Sequence, residues 1–187
     1  DLDGTISNST GSSALTISGT SDIGGSITTS GTQDYEDAVT ITGNSTLTTT
    51  SAQITFDTTV NSETGETNNL TVTATELQLD GIIGGSRTLG VIDITGSLDL
   101  NAAITNATSL SVSGTSNLGA DVTTSSTQTS TSGVTLSGAD RTLTGSIVNF
   151  GSTLEGGDNG STITGNLDLD GAPPGLSTLA VTVTTNL

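Results

Sequence analysis

The chain has no cysteine, histidine, lysine, methionine or tryptophan. Each absence closes a class of chemistry. Without cysteine there is no disulfide framework of the kind that holds many small secreted domains together. Without histidine, lysine or a thiol, the side chains that usually carry protons and form covalent intermediates are missing. One tyrosine and two phenylalanines leave almost nothing on which a sugar ring or a base could stack. A carboxylate pair could still cleave glycosides, but the aromatic and basic groups that normally hold the sugar beside it are scarce. These shortages identify a non-enzyme.

Positive charge is equally scarce. Arg87 and Arg141 are the only cations against 19 acidic residues, for a net charge of −17. Binding a phosphate backbone takes several Lys or Arg contacts, so nucleic acid is excluded as a partner. Anionic membrane surfaces are excluded on the same ground, and no apolar run is long enough for membrane insertion. The acidity itself reads as solubility, since surface carboxylates keep a β-rich chain from pairing with its copies. The chain opens at Asp1 in mid-pattern without Met, which leads us to expect a mature or excised piece.

What is present is mostly small. Serine and threonine make up about a third of the 187 residues, with 25 glycines, and the 30% of hydrophobic residues are mostly Val, Ile and Leu. Such side chains cannot fill a wide core, but they can line a narrow one. Low hydrophobicity with high net charge is also the signature of disorder. Against that, only 11% of residues are charged and apolar residues recur in L-x-V and V-x-L alternation throughout. Alternation with one buried face specifies short strands, as at 15–17, 39–41, 54–56, 70–72, 98–100, 110–112 and 134–136. Gly, Asn, Asp and Ser between them supply turns. No stretch has helical periodicity.

The chain also repeats itself. Residues 15–56 (LTISGTSDIGGSITTSGTQDYEDAVTITG…ITF) return at 110–150 (LSVSGTSNLGADVTTSSTQTSTSGVTLSG…VNF), a period of 95. A shorter unit lies inside: LQLDGIIGGSRTLGV (77–91), LDLNAAITNATSLSV (98–112) and LDLDGAPPGLSTLAV (167–181) align, placing Leu79, Leu100 and Leu169 together, with Val91, Val112 and Val181. Taking Leu2, Ile23, Ile41, Phe56, Leu79, Leu100, Leu118, Leu136, Phe150 and Leu169 as equivalent anchors gives intervals of about 19 residues. The fold class expected is all-β: a single-stranded parallel β-helix of about ten coils of ~19 residues, forming one segment over residues 1–187. The alternative is an antiparallel β-sandwich. Neither terminus reads as a polar cap, so we expect the chain to continue or to self-associate end to end.

The phrase GSITTSGTQDYEDAVTITGNSTLT, followed by ITFDTTVN, resembles the β-strand repeats of filamentous-haemagglutinin-like adhesins of two-partner secretion and related biofilm-matrix adhesins. Thr32, Gln33, Tyr35, Ala38, Val39 and Ile41, then Leu47, Ile54, Phe56 and Val60, carry the resemblance. The second copy keeps Thr127, Gln128, Val134 and Leu136 but has Ser130 for the tyrosine. The resemblance implies a right-handed parallel β-helix, export across the outer membrane as an unfolded chain, an extracellular or cell-surface location, and a role as stalk or matrix fibre. No secretion-signal motif of that family is visible here.

Other motifs dissolve on inspection. Asp1-Leu2-Asp3-Gly4-Thr5 matches a phosphatase nucleophile loop, but the lysine that chemistry needs is absent and Leu-Asp-Gly recurs as a corner at 79–81 and 169–171. Calcium is the one cofactor to weigh, at Asp168 and Asp170 or at Asp34, Glu36 and Asp37. Neither group supplies six to eight oxygens or a twelve-residue loop, so no metal ligands are assigned. Sequons at Asn8, Asn44, Asn69, Asn106 and Asn159 occur about as often as chance predicts in so Ser/Thr-rich a chain. Thr-x-Thr recurs, as at 40–42, 71–73 and 142–144; an ice-binding plane would need it on one face of successive coils, and by the 19-residue count it skips coils. Asp34, Tyr35 and Glu36 are the least solenoid-like spot and the candidate ligand-binding residues, with the competing account that Tyr35 covers a coil corner.

The function expected is structural, a spacer or fibre segment of a bacterial surface adhesin. The alternatives are a polysaccharide-binding solenoid and a calcium-dependent surface-layer lattice.

Overall fold

In the computed structural model, residues 2, 4–8, 13–170 and 176–182 are described. Every strand pairing among them is parallel and none is antiparallel, and the described residues contain no helix. The chain is a β-solenoid of about eight turns, and the sandwich alternative falls with the strand directions.

Each turn crosses three faces in a fixed order, which we call C, A and B. Face C stacks Ser21–Ile23, Val39–Ile41 and Val60–Ser62, continues through Ile83 and Ile104 to Val122–Thr124, and ends with 141–144, Ser161–164 and Leu179–Thr182. Face A stacks Thr5–Asn8, Ser26–Thr29, Ser45–Thr49, 70–73, 92–95, 110–112, Thr127–Ser130, 148–150 and 167–169. Face B stacks Leu15–Ile17, Gln33–Tyr35, Gln53–Phe56, 76–79, 97–100, Ser116–Leu118, Val134–Leu136 and Leu154–Glu155. Strands of three or four residues cannot bury an apolar face alone. Stacked in register, they place Leu79 on Leu100 and Ile94 on Val112 along one dry column.

Two features of the expected register need correction. Partners lie 18 residues apart at Ser21–Val39, 21 at Val39–Val60, and 25 at Ser45–Leu70, where the 63–69 loop is inserted. The count of ten coils arises because the anchors slip between faces. Leu2, Ile23 and Ile41 belong to face C, Phe56 to Leu136 to face B, and Phe150 and Leu169 to face A. The two shortest intervals are the two slips. The aliphatic alternation marks inward positions but is the same on all three faces, so it does not say which face a strand is on.

The alignment of 77–91 with 98–112 also breaks. Leu79 and Leu100 are true partners, but Val112 sits over Ile94 and Val91 over Ser109. The loop through Gly84 (φ +70°) and 85–88 adds three residues before face A. Val91 therefore points outward while Ile92 and Ile94 take the inward places.

Corners follow from local sequence. At Leu-Asp-Gly 79–81, Asp80 is exposed and a side chain on Gly81 would run into the Thr58 backbone of the preceding turn. Gly96 (φ +136°) and Gly165 (φ +131°) turn the chain from one face to the next inside continuous strands. Each lies against a carbonyl of the turn below, that of Ala74 and of Gly145 respectively. Only glycine adopts that backbone at so close an approach.

Candidate interaction surface

The three candidate residues do not share a surface. Strand alternation turns Tyr35 inward and Asp34 and Glu36 outward. Tyr35 is 0% exposed, stacked on Phe56 of the next turn with ring centroids 4.8 Å apart and planes 16° apart. Burial pushes its phenol pKa upward. A ligand on the flank touches Asp34 and Glu36 without touching Tyr35.

Tyr35 belongs instead to a buried polar clamp that composition did not reveal. Its Oη donates to Gln33 Oε1 at 3.0 Å. Gln33 Nε2 donates to the Thr48 carbonyl at 2.9 Å, and to the Ile27 carbonyl and Thr29 Oγ1, each at 3.3 Å. Gln33 is itself fully buried. The amide therefore ties the corner between faces A and B to the turn above it.

The same clamp recurs in the second copy. Gln128 Nε2 donates to the Thr144 carbonyl at 2.7 Å, the Val122 carbonyl at 3.2 Å and Thr124 Oγ1 at 3.4 Å. The signal was present in the sequence as the shared T-T-S-x-T-Q, where a glutamine stands at an inward position of a strand.

Face B carries the carboxylates. Asp34 has its pKa raised, first by partial burial and then by Asp57 and Glu36 nearby. Farther along, amides separate the acids. Gln53 Nε2 donates to Glu76 (2.8 Å) and Gln78 (2.7 Å), Asn101 Nδ2 to Asp80 (2.8 Å) and Asp99 (3.2 Å), and Asn117 Nδ2 to Asp99 (2.8 Å). This amide–carboxylate ladder holds like charges on successive turns apart, as in-register stacking requires in a chain with two cations. No group of three carboxylates converges as a metal site among the described residues. Asp168, one of the calcium candidates, accepts from Asn149 Nδ2 at 3.0 Å. Asp1 and Asp3 of the phosphatase-like motif lie outside the described residues, as does Gly171.

Both arginines serve the backbone. Arg141 donates through Nε to the carbonyls of Leu118 (3.2 Å) and Ser137 (3.1 Å), and through Nη2 to Ser137 again. Arg87 donates to the Ser86 carbonyl at 3.0 Å.

On face A the outward positions form two parallel rows of hydroxyls. Thr46 and Thr48 lie on Ser26 and Thr28 below, and under Thr71 and Thr73 above. Thr5 and Ser7 begin the rows; Thr95, Ser111 and Thr129 extend them. Thr-x-Thr as such is not confined to one face: 40–42 and 142–144 start on face C, whereas 46–48 and 71–73 stand on successive turns of face A. Counting Ser with Thr, the first row spans seven consecutive turns from Thr5 to Thr129 with Asp93 the one departure, and the second spans five from Ser7 to Thr95.

No family model, no curated protein and no solved structure matches the chain.

Proposed function

We propose that the chain is a rigid structural segment (a stalk, fibre or matrix spacer) of a secreted bacterial surface adhesin of the filamentous-haemagglutinin-like kind. The observation that carries the proposal is the unbroken parallel ladder from Leu2 to Thr182, in which each turn is templated by the one before it. A solenoid of this kind is stiff along its axis because bending it must open backbone hydrogen bonds on one face. The likeness of residues 25–48 and 54–61 to those adhesin repeats supports the family and, with it, an extracellular location. The small, hydroxyl-rich flanks support a spacer over a catalyst. Copies or further turns join through the same stacking that joins turn to turn, with no metal in the joint.

Negative-stain electron microscopy of the native assembly tests the proposal. Straight filaments of solenoid width, unchanged by chelator, are expected. Globular particles, or filaments that dissolve when calcium is removed, would replace the spacer with the lattice. The amide–carboxylate ladder on face B favours one second reading, recognition of a polysaccharide by that flank; binding to a glycan array that disappears in Asn101→Ala would establish it.

A further inference from the structure

We propose that face A is an ice-binding surface. Its two hydroxyl rows make a lattice rather than a stripe. Successive turns of a parallel sheet are ~4.8 Å apart and alternate residues of one strand ~6.6 Å apart, so register fixes the hydroxyl spacing in both directions. The first row runs over seven turns from Thr5 to Thr129 and the second over five from Ser7 to Thr95, with Asp93 the one charged group among them. A target read this way must be periodic in two dimensions, neutral, and able to donate and accept hydrogen bonds at every node. The oxygen lattice of an ice crystal meets all three conditions, and its surface repeats are close to these two spacings.

Three observations favour ice over other occupants. First, the hydroxyls of Thr46, Thr48, Thr71 and Thr73 make no hydrogen bond to another of the described residues. Corner hydroxyls do: Thr29 donates to the Gly31 carbonyl at 2.8 Å and Ser45 to the Ile23 carbonyl at 2.9 Å. Second, Tyr35, Phe56 and Phe150 are all buried, so no aromatic platform is available for a sugar ring. Third, β-branched side chains are restricted at χ1. The Thr methyl and hydroxyl groups therefore have less freedom to lose when water freezes onto them. Face B lacks this order, since it alternates carboxylates with amides, and face C carries its aligned threonines over four turns only, from Thr123 to Thr182.

The test is thermal hysteresis and partition into a growing polycrystalline ice hemisphere, compared for the unmodified protein, Thr48→Lys/Thr73→Lys, and Thr135→Lys on face B. Circular dichroism reports whether each remains folded. The expected result is that the unmodified protein and Thr135→Lys enter the ice and shape its crystals, while the face A double variant stays in the liquid with its fold intact. If the double variant does not fold, Thr48→Val/Thr73→Val, which keeps shape and removes hydroxyls, takes its place and is expected to lose most of the ice affinity. Exclusion of the unmodified protein from ice, or equal partition of face A and face B variants, would overturn the proposal. Neither result bears on whether the chain forms filaments.

Discussion

Residues 15–56 and 110–150 are copies in sequence, yet they occupy different faces. The first copy starts on face B at Leu15–Ile17 and the second on face A at Leu110. The shorter unit does the same between 98–112 and 167–181, whose ends at 110–112 and 179–181 lie on faces A and C. In both cases the later copy is shifted by one face. Gln33 consequently clamps an A-to-B corner and Gln128 a C-to-A corner, with the same donors and the same kinds of acceptor. Likewise ITGSLDL (94–100) turns from A to B at Gly96, whereas ITGNLDL (163–169) turns from C to A at Gly165, both at φ near +130°. Corner geometry is therefore specified by the local peptide and not by its place in the prism. The C-to-A and A-to-B edges are interchangeable to a first approximation.

The copies also differ. Tyr35 under Phe56 in the first becomes Ser130 under Phe150 in the second. Asp34 becomes Thr129 at the outward position between clamp and ring. Phe56→Ala and Phe150→Ala should have the largest effects, each about 3–5 kcal/mol of unfolding free energy for a buried aromatic. The Phe56 variant should lose more, by roughly 0.5–1.5 kcal/mol, because its ring also stacks on Tyr35. Urea denaturation of the pair reads both numbers; equal losses would mean that the aromatic stack adds nothing.

Next come the two glycines. Gly96→Ala and Gly165→Ala force a Cβ against a backbone carbonyl in a conformation that L residues avoid, at about 2–4 kcal/mol each. Similar losses at the two sites are expected from interchangeable edges, and a large inequality would show that the edges are not equivalent.

Removing the clamp should cost less. Gln33→Leu leaves the Tyr35 hydroxyl unpaired in the core, for about 1–3 kcal/mol. Gln128→Leu removes the same amide donor without leaving a tyrosine hydroxyl and should lose less. Adding Tyr35→Phe to Gln33→Leu should recover part of the difference; strict additivity in that cycle would refute the hydrogen bond's role.

The smallest effect is electrostatic. Asp34 has a raised pKa in the folded chain, so the folded state holds its proton more tightly than the unfolded state. Stability on this account is fullest below the ordinary carboxyl range. It falls as pH rises through Asp34's raised value, then stays level. Asp34→Asn should flatten that slope, and the same measurement on Thr129→Asn should show no change of slope.

Much of this was legible before the structure. Apolar alternation identifies the inward residues, and the stacking of Leu79 on Leu100 follows from it directly. What alternation leaves undetermined is face, because every face presents the same small aliphatic pattern inward. The 63–69 and 84–88 loops, which lengthen single turns, are invisible to a fixed period. That ambiguity turned about eight turns into ten and hid the hydroxyl rows of face A. The clamp was missed for another reason. A glutamine in a polar chain looks like surface, and only the inward parity of Gln33 and Gln128 marks them as core.

The most direct test of the one-face shift is disulfide trapping at sequence-equivalent positions. Cysteines at Asp34 and Thr55 (face B) and at Thr129 and Asn149 (face A) face outward on neighbouring turns, about 4.8 Å apart across the stack and within disulfide reach. Both pairs should close quantitatively under mild oxidation, and a Thr129–Thr135 pair, which joins different faces, should not. Closure of the Thr129–Thr135 pair, or failure of either stacked pair in a folded protein, would contradict the parallel three-faced solenoid.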